Sequence, residues 1–446
     1  MSSVELHKYV RAIESADLQV RRGRVKSLIG LVIEVSGLRA EVGELCSIAA
    51  GRNAEPVPAE VVGFRDGATL LMPFGSLHGI GPGNPVTATG DPFLLPVGED
   101  LLGRVLDGLG RPIDGLPAPR TEDLRSTVAL PPSPLQRSRI TERLSLGVRA
   151  LDGFAACGTG QRLGIFAGSG VGKSTLLGMI ADATSADVNV ICLAGERGRE
   201  VRDFVERDLG DALGHSVVVV ATSDESPLVR IKAAFTATTI AEWFRDRGQN
   251  VLLMMDSVTR LATAQREVGL AIGEPPAARG YTPSVFALLP KLLERAGTSE
   301  QGSITGLYTV LVDGDDMNDP VADAVRSILD GHIVLTRELA HRSHYPAVDV
   351  LQSVSRLANE VSTPEVRQAE GRLRELLALY REKEDLISIG AYSPGSDERI
   401  DLAIRLMPAI ESFLRQPVGE HSPADRTDAE MLELIASASA GALVQA

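Results

Sequence analysis

The stretch "RLGIFAGSGVGKSTLLGMIA", Arg162 to Ala181, decides how the chain is read. "RLGIFA" is an apolar run of strand length, and "STLLGMIA" is a helix-forming segment. Between them lie Gly168, Ser169, Gly170, Val171, Gly172 and Lys173, and the helical segment opens with Ser174 and Thr175. The glycines let the backbone curl so that successive N–H groups face phosphate oxygens. Ala167 stands where a first glycine is usual and is an allowed small residue. Lys173 is placed to reach the outer phosphates, and the Ser174 hydroxyl is a hard ligand suited to Mg²⁺. A helix beginning at 173 turns the positive end of its dipole toward the same anion. Strand, glycine loop and helix in this order predict a site for a nucleoside triphosphate.

Working outward, "VNVICLA" (188–194), "SVVVVAT" (216–222), "NVLLMMD" (250–256) and "LYTVLV" (307–312) are further buried strands. Helical segments such as 227–247 separate them. The alternation predicts an α/β core around a parallel sheet. Ligands of such sheets lie beyond the carboxyl ends of the strands. Asp256 closes one strand and Glu196 follows another, so both acids are expected on the loop's edge. Hydrolysis needs one acid near a metal ion and one that orients water. Asp256 suits the first role and Glu196 the second.

The flanks differ from this core. From Arg24 to about Gly90, short aliphatic runs cut by glycines, with a turn signal at Asp66-Gly67, predict a small β-barrel or sandwich. "GRVLDGLGRPIDG" (103–115) has two Asp-Gly pairs and a proline and is expected to be a hinge-like connector. Beyond Arg356 the chain is expected to be helical. Thr363-Pro364 opens one helix. "GAYSPG" (390–395) breaks it, Ser396 with Asp397 and Glu398 starts another, and Thr427 with Glu430 caps a last one. Residues 4–18 carry a narrow apolar stripe (Leu6, Val10, Ile13) that wants a partner, in its own domain or outside it. The expected organisation is a multidomain α/β chain: a helix at 1–23, a β-barrel at 24–90, a nucleotide-binding domain at 91–360 and a helical domain at 361–446.

Composition narrows the function. The 446 residues carry a net charge of −14 and only 4% aromatics. Both argue against a main role in gripping nucleic acid, which needs Lys, Arg and stacking rings. Cys46, Cys157 and Cys192 are too scattered for a disulfide framework or a zinc site. No stretch resembles a signal peptide or a membrane span, so a cytoplasmic location is expected.

"GERGREVRDF", "DSVTRLATAQREVGLAIGEPPAARGYTPSVFALLPKLLERAG", "DGDDMNDPVADAVRSILDGHIVLTREL" and "HYPAVDVLQSVSR", together with the glycine loop, resemble the export ATPases of type III secretion systems. These are relatives of the catalytic β subunit of F-type ATP synthases. "ATSDESPLVRIKAAFTATTIAEWFRDRGQNV" is more similar to the flagellar branch. The resemblance implies a β-barrel, a RecA-like P-loop ATPase domain and a C-terminal helical domain. It implies ATP and Mg²⁺ at Lys173, Ser174 and Asp256, with Glu196 positioning water and Arg197 near the γ phosphate. Tyr345 would stack on adenine, Phe413 would add apolar wall, and Arg356 would be an arginine finger acting on a neighbouring copy. A homohexamer follows. Implied partners are a regulator or stator protein at the N-terminal helix, a coiled-coil stalk, chaperone–substrate complexes and an export gate. Membrane association would come through those partners. The roles of Arg260 and of the acidic loop 313–320 stay open. "GAYSPGSDER" stands where ATP synthases carry a strongly acidic loop, which weakens a synthase reading.

Overall fold

The computed structural model describes residues 21–51, 55–312, 316 and 319–443. The segment expected to form the N-terminal helix lies, except for its last residues, outside the described residues.

Strands β1 (Arg22–Ile29), β2 (Val32–Ser36), β3 (Glu44–Ile48), β4 (Val57–Arg65), β5 (Ala68–Pro73) and β6 (Pro85–Pro92) close into a barrel. Side chains alternate along each strand, so Val25, Ile33, Val35, Cys46, Ile48, Val61, Leu71 and Val86 fill its interior. Closure removes the exposed edges that strands this short would otherwise present. Asp66 and Gly67 join β4 to β5 with φ of 48° and 76°, the left-handed pair a tight hairpin requires.

The expected connector is not a hinge. Arg104–Asp107 is itself a strand, β7, paired in parallel with the far edge of the central sheet. Arg104 donates two hydrogen bonds to Asp114, at 2.7 and 2.9 Å, which fold the glycine-rich turn back on the strand. Glycines here serve tight turns against a docked strand.

The central sheet continues with β8 (Arg162–Ala167), β9 (Val188–Glu196), β10 (Ser216–Thr222), β11 (Asn250–Asp256), β12 (Ser303–Leu311), β13 (Gly331–Leu335) and β14 (Val354–Ser355). Their order is β14-β13-β8-β12-β11-β9-β10-β7, all parallel except β14. Helices cover both faces. On one side lie α1 (Lys173–Ala183) and the C-terminal helices; on the other lie α2 (Pro227–Arg245), α3 (Val258–Ala271), α4 (Pro283–Leu293) and α5 (Pro320–Ile328). Burial on both faces is why these strands are uninterrupted apolar runs. Helix α2 ends two residues before the predicted stop.

Three helices complete the chain: α6 (Pro364–Ser388), α7 (Glu398–Leu414) and α8 (Ala424–Leu443). Thr363 caps α6 as expected, accepting from the Val366 N–H. The other two starts differ from the sequence reading. Asp397, not Ser396, caps α7, accepting from the Arg399 N–H at 2.9 Å. Helix α8 begins before Thr427, which is buried in its first turn with its hydroxyl 3.0 Å from the Ser422 hydroxyl. A cap precedes its helix and accepts from the free N–H groups of the first turn; Thr427 already lies inside the helix, and its hydroxyl is within 3.3 Å of the Ser422 carbonyl.

Cys46, Cys157 and Cys192 are free and buried. Burial pushes all three thiols up, that of Cys46 to about 12. Among the described residues no helix is long and apolar enough to cross a membrane.

Candidate active site

The loop Gly168–Gly172 leaves the carboxyl end of β8 and runs into α1. Gly170 and Gly172 have φ of 79° and 89°, which side chains resist. Gly172 also lies under Tyr345: a Cβ there would touch the Tyr345 ring at 3.5 Å. Lys173 is the first residue of α1, and the Ser174 hydroxyl that follows is exposed.

Three charged groups meet at this edge. The Lys173 ammonium donates to Asp256 Oδ1 and stands 3.8 Å from Glu196 Oε1. Asp256 closes β11, and its side chain is 3% exposed. Glu196 closes β9 through a bulge: the register against β10 slips between Ala194 and Glu196. The extra residue is Gly195, with φ of 81°. A bulge re-aims the residue that follows it, and here it delivers Glu196 to Lys173. Burial pushes the Glu196 carboxyl up to about 7, and the Asp256 charge adds to this; Lys173 and Arg260 oppose the rise.

Arg260 lies on α3 against the same bulge; a Cβ on Gly195 would come within 2.9 Å of its Cβ. Its buried Nε has no hydrogen-bond partner. An orphaned cationic donor beside a P-loop fits a phosphate. For a metal, the donors are the Ser174 hydroxyl and the Asp256 carboxylate, both hard oxygens. Among the described residues no three His, Cys, Asp or Glu side chains form a metal cage. That set fits Mg²⁺, which takes one or two protein ligands and completes its shell with water and phosphate.

Not every predicted residue joins this group. The Arg197 side chain is 77% exposed and pairs with Glu200 at 3.4 Å. Tyr345 is half exposed and its carbonyl accepts from the Gln416 N–H at 3.0 Å. Phe413, the expected apolar wall, lies on α7. Its ring is buried in the cluster that the C-terminal helices share with Phe154, edge-on to that ring at 6.5 Å. Arg356 follows β14, at the amino end of β13, while the P-loop lies at the carboxyl end. Four strand residues separate the two edges by ~13 Å. In the acidic loop, Asp316 and Asp319 face Arg279 at 3.0 and 3.8 Å, and Asp319 caps α5; residues 313–315, 317 and 318 lie outside the described residues.

Sequence reasoning missed Thr309. Its hydroxyl is buried on β12 and donates to Asp256 Oδ1 at 2.7 Å. The signal was present: a lone polar residue inside the run "LYTVLV".

Comparison with known proteins agrees with this fold. Residues 25–90 match the β-barrel domain of the ATP synthase alpha/beta family, and residues 147–355 match its nucleotide-binding domain. Residues 362–433 match the T3SS EscN ATPase C-terminal domain. The chain is 54% identical to the flagellum-specific ATP synthase of Bacillus subtilis, over 95% of this chain and 98% of that protein. It is 51% identical to the type 3 secretion system ATPase of Xanthomonas euvesicatoria, over 95% and 96%. Among solved structures, the assembled ATPase EscN of the enteropathogenic E. coli type III secretion system superposes with a TM-score of 0.88 at 48% identity, covering 93% of this chain and all of that one. A P-loop whose lysine meets two strand-end carboxylates, on a barrel–sheet–helix frame shared along nearly its whole length with these proteins, places the chain in the type III secretion and flagellum-specific ATPase family, and it is an ATPase.

Proposed function

We propose that the chain hydrolyses MgATP at a site completed by a neighbouring copy, and that hydrolysis energises flagellar-type protein export. The observation that carries this reading is the Lys173–Glu196–Asp256 group at the sheet's carboxyl edge. Lys173 turns from Asp256 to the phosphates when nucleotide enters the loop. Gly168, Ser169, Gly170, Val171, Gly172 and Thr175 wrap the phosphates with backbone and hydroxyl donors. Ser174 and Asp256 hold Mg²⁺, which when bound neutralises phosphate charge and polarises the γ phosphoryl group. Glu196 orients the attacking water and accepts its proton. Arg260, with its free Nε, reaches the phosphates, and Arg197 swings in from solvent. Tyr345, standing on the loop, stacks on the base.

Arg356 lies at the wrong edge to serve its own P-loop. It suits a ring in which it reaches the next copy's phosphates, and a homohexamer is the proposed assembly. One solved relative is described as EscN in complex with its central stalk EscO; a coiled-coil stalk is proposed here by analogy. A regulator at the N-terminal segment, chaperone–substrate complexes and an export gate at the cytoplasmic face of the membrane complete the proposal.

The flagellar branch rests on the segment 221–251, and the relatives come from both branches at similar identity. A strain carrying Lys173→Ala separates them. Loss of filaments and motility supports flagellar export. Normal filaments with loss of other secreted proteins assigns the virulence branch, and normal filaments with all secretion intact overturns the export reading.

A further inference from the structure

We infer that Thr309 is a positioning residue for the metal-binding carboxylate, holding Asp256 in place after Lys173 has left it. The inference rests on the proposed metal role of Asp256. Thr309 lies near the carboxyl end of β12, beside β11 in parallel register, with Met255 opposite Tyr308. It shares its strand face with Leu307, whose side chain packs in the cluster under α1, so it points to the P-loop side of the sheet. The residue is fully buried. A hydroxyl there must donate or cost about 1–3 kcal/mol. Its proton has two acceptors within reach: Asp256 Oδ1 at 2.7 Å and the Met255 carbonyl at 3.3 Å. The shorter, charge-assisted contact is the stronger.

Lys173 and Thr309 both donate to the same oxygen, Oδ1. The two donors differ in one respect. Lys173 has a long flexible stem and a second duty at the phosphates. Thr309 is fixed by β-branching and by its strand. Once Lys173 turns to nucleotide, Thr309 is the donor still bonded to Oδ1 and fixes the plane of the carboxylate. Outer-shell donors of this kind typically change metal affinity or activity by about 10–100-fold when removed.

Thr309→Val keeps the shape and deletes the donor; Thr309→Ser keeps the donor. Two measurements are made on the full chain: the Mg²⁺ concentration giving half-maximal ATPase activity, and binding of a fluorescent ATP analogue in EDTA and in Mg²⁺. Thr309→Val is expected to need about 10-fold more Mg²⁺ and to lose most of the Mg²⁺-dependent gain in binding, with EDTA binding unchanged. Thr309→Ser is expected to stay within about threefold of wild type, since it retains the outer-shell donor. Wild-type Mg²⁺ dependence in Thr309→Val overturns the inference, as does an equal loss in EDTA, which marks a merely structural role. Should Thr309→Val fail to fold, Thr309→Ala supplies the same comparison. Asp256→Asn is the control: if it too leaves the Mg²⁺ dependence unchanged, the metal role of Asp256 falls, and Thr309's role with it.

Discussion

Lys232→Met is expected to loosen the barrel from the ATPase domain. Lys232 on α2 pairs with Glu60 on β4 at 2.5 Å, and the two side chains are 9% and 13% exposed. Burial raises the Glu60 carboxyl, and Lys232 is what opposes the rise. Removing one member of a buried pair costs about 3–5 kcal/mol, because the other charge is left without a partner or solvent. The loss has a pH signature. Without Lys232 the Glu60 value rises further above its unfolded one. A raised carboxyl contributes stability below its unfolded value and loses it as pH rises through the folded value. The variant's deficit should therefore be largest at alkaline pH and shrink on acidification, as Glu60 takes up a proton. Lys232→Met with Glu60→Leu should recover most of the loss, since apolar replacements of buried pairs are often neutral or stabilising. The assay is built in. Trp243, the single tryptophan, lies on the same helix, bonded to Asp123 at 3.0 Å and covered by Arg247. Its fluorescence follows urea unfolding. A loss below about 1 kcal/mol in Lys232→Met, the range of an exposed pair, or a double variant no more stable than the single one, would refute the reasoning.

Glu196→Gln should bind nucleotide normally and hydrolyse it about 10²–10⁴-fold more slowly, measured as phosphate release. Wild-type activity should fall as pH drops through about 7, where Glu196 takes up a proton. The raised carboxyl stabilises the nucleotide-free fold below its ordinary value of 4.5, and that contribution is lost as pH rises through about 7. Glu196→Gln should thus be more stable than wild type at pH 8 and no different at pH 4; equal stability at both would count against the buried placement. Gly195→Ala forces a side chain into a left-handed φ and within 2.9 Å of the Arg260 Cβ. It should cost about 1–2 kcal/mol in thermal unfolding and reduce turnover, because the bulge that aims Glu196 must shift.

The sequence by itself determined the local physics. Apolar runs of strand length want burial on both faces of a sheet, and the glycines of 168–172 and Asp66-Gly67 supply the positive φ that a phosphate loop and a tight hairpin require, so the loop, the α/β core and the barrel hairpin were legible without coordinates. Strand ends carrying Asp256 and Glu196 placed both acids on the loop's edge, because parallel strands share a direction. Tertiary structure decided what depends on neighbours distant in the chain. Whether Arg104–Asp107 is a hinge or a docked strand depends on the free edge of β10, which local composition does not encode. Phe413 belongs to the core because Phe154 sits opposite it, more than two hundred residues earlier. Thr309 matters only because β12 lies beside β11. Arg356 lies at the sheet edge opposite its own P-loop because β14 returns antiparallel, and no local pattern carries that reversal. A side chain's type limits the bonds it can form; the packing of distant segments selects which one it forms.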